Sequence, residues 1–166
     1  MSVTALAISP DGTALASVSH DKWVRVWELG GLASRALRWE TEVRTSAINH
    51  CQFSPDGSEL YAGGSDGIVR VWATADGAPR REHEPPAGVI RPPSIFAFVL
   101  SRTGGEVAWC GNAWVVPYEV YTAETKTLRV TRRIPAHAEE VMILAAYPGG
   151  FCSGSADRTV KFWDWR

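Results

Sequence analysis

Apolar and polar residues alternate over short runs along the whole chain. "VTALAIS", "ALASVS" and "WVRVWEL" follow one another near the start, and each is a few residues long and rich in β-branched or aromatic side chains. That pattern predicts strands. The runs are separated by turn signals. "SPDG" stands at Ser9–Gly12 and again at Ser54–Gly57, where glycine supplies the positive φ of a tight turn, and a second turn falls at His20-Asp21 and Ser65-Asp66. After the third run of each set comes a weaker, more polar one: "SRALRWE", "APRREHE" and "KTLRVTRRI". No segment reads as a helix. The longest apolar runs, Ile95–Leu100 and Val141–Tyr147, fall far short of the ~20 residues of a membrane helix.

The sets are copies of one unit. "HDKWVRVW" (His20–Trp27) aligns with "SDGIVRVW" (Ser65–Trp72) at a shift of 45, and "ADRTVKFW" (Ala156–Trp163) is the same octet 91 residues beyond the second copy. A degenerate copy is expected midway. "IFAFVLSRTGGEVAWCG" (Ile95–Gly111) mirrors "INHCQFSPDGSELYAGG" (Ile48–Gly64), and "VYTAET" (Val120–Thr125) then takes the place of "VWATADG", with Tyr121 replacing the tryptophan. The stretch between, Asn112–Glu119, has two extra residues and no turn aspartate. Four units result, at about residues 1–44, 45–93, 94–135 and 136–166 of a single domain. Short strands at regular spacing allow a sandwich, a barrel or a propeller, and a period near 45 selects the β-propeller.

At this point the residues resemble the WD40-repeat β-propellers. The carriers are "FSPDG", "GSDGIVRVW" and above all "AHAEEVMILAAYPGGFCSGSADRTVKFWD" (Ala136–Asp164). The resemblance implies a hydrogen-bonded tetrad of His, Ser, turn Asp and strand Trp in each blade, complete here as His137, Ser153, Asp157 and Trp163. Unit one would have Ser17, Asp21 and Trp27 without a histidine. Unit two keeps Asp66 and Trp72, but Ala62 replaces the serine and Arg44 sits near the expected histidine. Unit three keeps almost none of the set.

Composition narrows the function. With 45% apolar and 21% charged residues, the 166-residue chain is ordinary globular material. A formal charge of −1 gives no electrostatic reason to expect direct binding of nucleic acid or an anionic membrane. The pairs Arg80-Arg81 and Arg132-Arg133 read as solvated strand faces. Cys51, Cys110 and Cys152, odd in number and scattered, read as reduced core thiols rather than disulfides or a zinc site. Met1-Ser2-Val3 has no basic, then apolar leader pattern, so the expected location is intracellular, cytoplasmic or nuclear.

No catalytic constellation emerges. Ser19-His20-Asp21 has the residue types of a hydrolase triad, but neighbours in a turn cannot form its relay. Glu139 and Glu140 point to opposite faces of an extended chain. Neither phosphate loop, metal-spaced histidine cluster nor nucleophile elbow is present. The expectation is a non-enzyme with no cofactor.

What a propeller offers is loops on a rigid scaffold, where binding concentrates. The family's usual contact surface maps onto His20, Ser65 and Ala156, with Arg44, Glu139 and Glu140. Trp23 replaces smaller residues, Ile68 and Thr159, in the other copies. It is either an interface anchor or a filler between blades. Trp39, Trp109 and Trp114 read as core or blade-edge packing. "HEPPAGVIRPP" (His83–Pro93) is either a contact loop or an insertion. The ending "WDWR" resembles the W-D-x-R pattern of WD40 substrate receptors of cullin-4 ubiquitin ligases, in which Arg166 would meet the adaptor.

The resulting expectation is a scaffold that assembles a multiprotein complex through propeller faces. Alternatives are a cullin-4-type substrate receptor and a scaffold in a ribonucleoprotein. The last unit lacks a fourth strand run and the first opens on its innermost strand, so the ring is expected to be partial: a fragment of a longer propeller or, failing that, one half of a ring completed by self-association.

Overall fold

The computed structural model describes residues 2–30, 36–44, 46–83, 94–112 and 117–165. Among them there is no helix, and fifteen strands form four antiparallel meanders. Blade 1 contains β1 (Val3–Ile8), β2 (Ala14–Ser19), β3 (Trp23–Glu28) and β4 (Leu37–Glu42). Blade 2 contains β5 (Ile48–Phe53), β6 (Glu59–Gly64), β7 (Val69–Ala73) and β8 (Pro79–Glu82). Blade 3 contains β9 (Ser94–Leu100), β10 (Glu106–Asn112), β11 (Tyr118–Glu124) and β12 (Val130–His137). Blade 4 has three strands, β13 (Val141–Tyr147), β14 (Gly150–Ser155) and β15 (Val160–Asp164). The architecture is a four-blade all-β propeller.

Local chemistry explains the hairpins. In the first turn of blade 2 the Ser54 hydroxyl donates to Asp56 Oδ1 (2.5 Å) and accepts from the Glu59 amide (3.0 Å), while Gly57 takes φ +73°. Ser9 and Asp11 repeat the arrangement in blade 1. A serine hydroxyl placed this way satisfies backbone donors that a tight turn leaves open.

The core is three seams between successive blades rather than one central mass. At the first, Val24 and Val26 of β3 meet Cys51, Phe53 and Trp72 of blade 2. At the second, Tyr61, Val69 and Val71 meet Ile95, Phe98 and Leu100. At the third, Ala97, Val99 and Val120 meet Val141, Leu144 and Phe151. The alternation of each strand sends one set of side chains to the preceding blade and the other to the following one.

The degenerate third copy is real, but its register corrects the sequence alignment. Ala123 pairs with Val107, as Trp72 pairs with Leu60. Tyr121 pairs with Trp109, as Arg70 pairs with Ala62, so it stands at the arginine position and not at the tryptophan position. Its ring stacks on Trp109 at 5.9 Å and 13°, an aromatic pair in place of the serine and arginine.

Two further expectations change. Cys51 and Cys110 are buried, with thiols pushed up to about 12 by burial, whereas Cys152 is half-buried. Arg81 is not a solvated strand residue. It forms a bidentate pair with Glu59 (2.7 and 2.6 Å) and donates to the Tyr61 hydroxyl (2.7 Å).

Candidate functional site

The polar network of blade 4 is centred on two buried side chains, His137 and Ser153, and ends on half-buried Asp157 and Trp163. Trp163 Nε1 donates to Ser153 Oγ (2.8 Å), and the same hydroxyl lies 2.8 Å from His137 Nε2. His137 Nδ1 lies 2.8 Å from Asp157 Oδ2. A neutral histidine protonated on Nδ1 satisfies every member: indole to hydroxyl, hydroxyl to imidazole, imidazole to carboxylate. Asp157 is held well below the usual carboxylate range by the Thr159 hydroxyl, then by His137 and the amides of Thr159 and Ala138.

The other blades anchor the same turn differently. In blade 1, Trp27 Nε1 donates to Ser17 Oγ (3.0 Å) and Asp21 pairs with Arg25 (3.1 Å). In blade 2, Asp66 pairs with Arg70 (2.7 Å), and its amide donates to Ser46 Oγ (2.9 Å). Arg44 does not take the histidine's role: it is exposed, with Nε 3.8 Å from Glu42. The substitute comes from the third strand, four residues after the aspartate, where side chains on one face reach back to the turn.

The Ser19-His20-Asp21 turn has no relay geometry. Ser19 Oγ accepts from the Asp21 amide (3.0 Å) and donates to the Ser2 carbonyl (2.9 Å). The exposed residues His20, Ser65 and Ala156 each sit where the turn between second and third strands is tied by their own amides to the segment before the first strand: Ser2, Ala47 and Glu140. Blade repetition therefore puts these three on one rim. Exposed Glu139 and half-buried Glu140 lie on the same connection as the Ala156 tie, with Glu139 O accepting from Ser155 Oγ (3.0 Å).

Trp23 is half-buried, with the Arg25 guanidinium 5.3 Å from its ring centre. Lys22 Nζ donates to the Arg44 carbonyl (3.2 Å), and Trp23 pairs with Glu42 across β3 and β4. His20, Trp23 and Arg44 thus share one neighbourhood. Beside it a groove of about 540 Å³ opens between the outer strands of blades 1 and 2, lined by Glu42, Arg44, Arg70, Arg80 and Glu82. Trp39 and Trp109 are buried, while Trp114, residues 84–93 of the proline-rich stretch and Arg166 lie outside the described residues.

Trp39, Arg81 and Arg132 occupy one register position on the outer strands, opposite Val26, Val71 and Thr122. Each reaches the next blade where its third strand ends. Trp39 Nε1 donates to Thr74 O (2.8 Å), Arg81 Nε to Thr125 O (2.5 Å) and Arg132 Nη1 to Asp164 O (3.2 Å). Beneath Trp39 lies Gly77 at φ +71°, where a Cβ would come within 2.6 Å of the indole. Glycine is required there twice over, by backbone and by space. An indole and two guanidiniums share no residue-type pattern; their common signal is position on the outer strand.

Among the described residues no group of three or more His, Cys, Asp or Glu is placed to hold a metal ion. The carboxylates with displaced ionisation are engaged in turns and ion pairs. Arg81 holds Glu59 below its ordinary value, and burial together with Glu59 pushes Tyr61 up to about 12.

The family pattern described as WD domain, G-beta repeat (WD40) matches residues 1–28, 39–73 and 128–164. A crystal structure of the computationally designed Ika4 protein is similar in fold, with a TM-score of 0.79 at 23% identity over 98% of this chain and 91% of that one. In all, 1341 chains of known structure match, so the fold alone selects no function. Comparison with curated proteins gives no match.

Proposed function

The chain belongs to the WD40 family, and from that premise we propose that it is a non-catalytic scaffold that assembles other proteins through the loops and seams of its propeller. Members of this family generally act as protein-interaction platforms, and their propellers are typically non-catalytic. The observation that carries the reading here is the neighbourhood of Trp23. A half-buried indole stacked by Arg25 lies three residues from exposed His20 and opposite Glu42, which lines the groove between blades 1 and 2 together with exposed Arg44. Aromatic and arginine side chains on a rigid sheet are the residue types that anchor interfaces. Arg44, Arg70, Arg80 and Arg81 line the groove with Glu42 and Glu82, and Arg70 and Arg81 are engaged by Asp66 and Glu59, so it offers both charges to a partner rather than a bare cationic face for a polyanion.

The test is quantitative affinity purification with mass spectrometry from cells making the native chain or variants. Trp23→Ala with Arg44→Glu is expected to remove specific protein partners at least fivefold. Arg102→Glu, on an exposed turn of blade 3 between first and second strands, is expected to retain them. Equal recovery from both variants contradicts the site. Enrichment of a cullin-4 adaptor or of ribonucleoprotein components points instead to the more specific complexes named above.

A further inference from the structure

The three seams let every position be compared between a covered and an uncovered blade. Val3, Ile48, Ile95 and Val141 share one register position, opposite Ser19, Gly64, Gly111 and Ser155. Ile48, Ile95 and Val141 are 0%, 0% and 1% exposed; Val3 is 62% exposed. One turn of the pattern along, Cys51, Phe98 and Leu144 are buried while Leu6 is 62% exposed, and Phe53 and Leu100 are buried while Ile8 is 65% exposed. The face of blade 1 that looks away from blade 2 thus carries the apolar side chains of a seam without its other half.

Blade 4 shows the reverse. Val24, Val69, Val120 and Val160 occupy one position on the third strands; the first three are each 0% exposed and Val160 is 61% exposed. At the next inward position Val26 and Val71 are sealed and Phe162 is 71% exposed. Ile143 and Tyr147 extend this apolar face along β13. In the internal seams the side chains at the Phe162 position pack with those at the Leu6 position: Val26 with Cys51, and Val71 with Phe98. The two uncovered faces are therefore the complementary halves of the interface the molecule builds three times. The inner strands follow one another as β1, β5, β9 and β13, and the exposure at both ends means that blade 4 does not cover blade 1 of its own chain.

We infer that these end faces pair head to tail with those of a second copy, two chains closing an eight-blade ring. An apolar patch of this kind on a soluble protein marks an association site. Each copy supplies both halves, so the interface is heterologous and propagates until the rotation closes. Propellers hold roughly 4–8 blades; a four-blade chain open at both ends reaches that range with one partner copy. Blade 4 has no described outer strand to supply the Trp39, Arg81 and Arg132 contact, so the seam rests on its three inner strands. The inference is independent of the scaffold reading.

Analytical ultracentrifugation of the 166-residue chain tests it directly. The expected species has twice the 18.1 kDa chain mass. Leu6→Glu and Phe162→Lys, each alone, are expected to sediment as folded monomers by circular dichroism. Mixed in equal amounts they are expected to restore the dimer, because one seam is then native and the other joins opposite charges. If either substitution unfolds the chain, Ile8→Glu and Val160→Lys repeat the test on the same two faces. A folded native monomer, a ladder of species above the dimer, a dimer indifferent to the substitutions, or failure of the mixture to recover it overturns the proposal.

Discussion

Blades 2 and 4 are built on the same octet, yet they are held in different ways. Blade 2 lies between two neighbours, with Val69 and Val71 sealed on one face and Phe53 and Leu60 on the other. Its turn aspartate pairs with Arg70 of the third strand (2.7 Å). Blade 4 is covered within its own chain on one face only, and on that face the His137–Ser153–Asp157–Trp163 chain passes through it. Packing can stand in for a polar network where both faces are covered. In blade 4, open on one face, these hydrogen bonds tie the turn and the strand to the preceding blade in addition to the apolar seam.

The comparison breaks most sharply at Ser153. This hydroxyl is fully buried and serves two partners. Ser153→Ala leaves the indole N–H and the imidazole unmatched, at a cost of about 2–4 kcal/mol, read as a fall in Tm of roughly 5–12 °C by calorimetry. The equivalent position in blade 2 is already alanine, Ala62, so Ala62→Ser is expected to give no comparable gain.

Next is the second seam. Arg81→Ala removes the cation paired with Glu59, leaving the Tyr61 hydroxyl on that carboxylate, and removes the contact to Thr125 O. A partly buried charge left alone costs about 1–3 kcal/mol. Arg81→Lys is expected to recover less than half of this by chemical denaturation, because a lysine cannot form the forked pair.

A smaller effect separates the blades by pH. His50 packs edge-on to Phe98 at the second seam, with Nδ1 buried and unbonded, and burial lowers its pKa. A base with a depressed folded pKa binds protons more readily when unfolded, so stability is lost as pH falls through the unfolded value of about 6.5. Tm is expected to drop between pH 7.5 and 5.5, and His50→Leu to flatten that drop. Asp157 acts in a different window. Its depressed pKa adds stability that is present above the ordinary aspartate value and is lost below it, so its loss follows at more acid pH.

The smallest effect is expected in blade 1. Arg25→Ala breaks half-exposed pairs to Asp21 and Glu40 (3.1 and 2.9 Å), worth about 0–1 kcal/mol.

What could be read in the sequence was what repeats. The hairpins, the turn serine and aspartate, and the blade 4 tetrad residues each stand at fixed spacing from a recognisable neighbour. Tyr121 reads two residues out of register in the sequence because the third copy lacks the tryptophan that marks the strand. Arg81 looked like a surface residue because its partners, Glu59 and Thr125, are set by strand pairing and by the next blade. Val160 and Phe162 were indistinguishable from Val69 and Val71, since an apolar pattern records which face a residue takes and not whether anything covers it.

The most direct measurement of the contrast between blades 2 and 4 is hydrogen exchange, read by mass spectrometry, on the native chain and on Ser153→Ala. Exchange of β14 and β15 is expected to be at least tenfold faster in the variant, with β6 and β7 unchanged. Equal acceleration in all blades, or none in blade 4, would contradict that contrast.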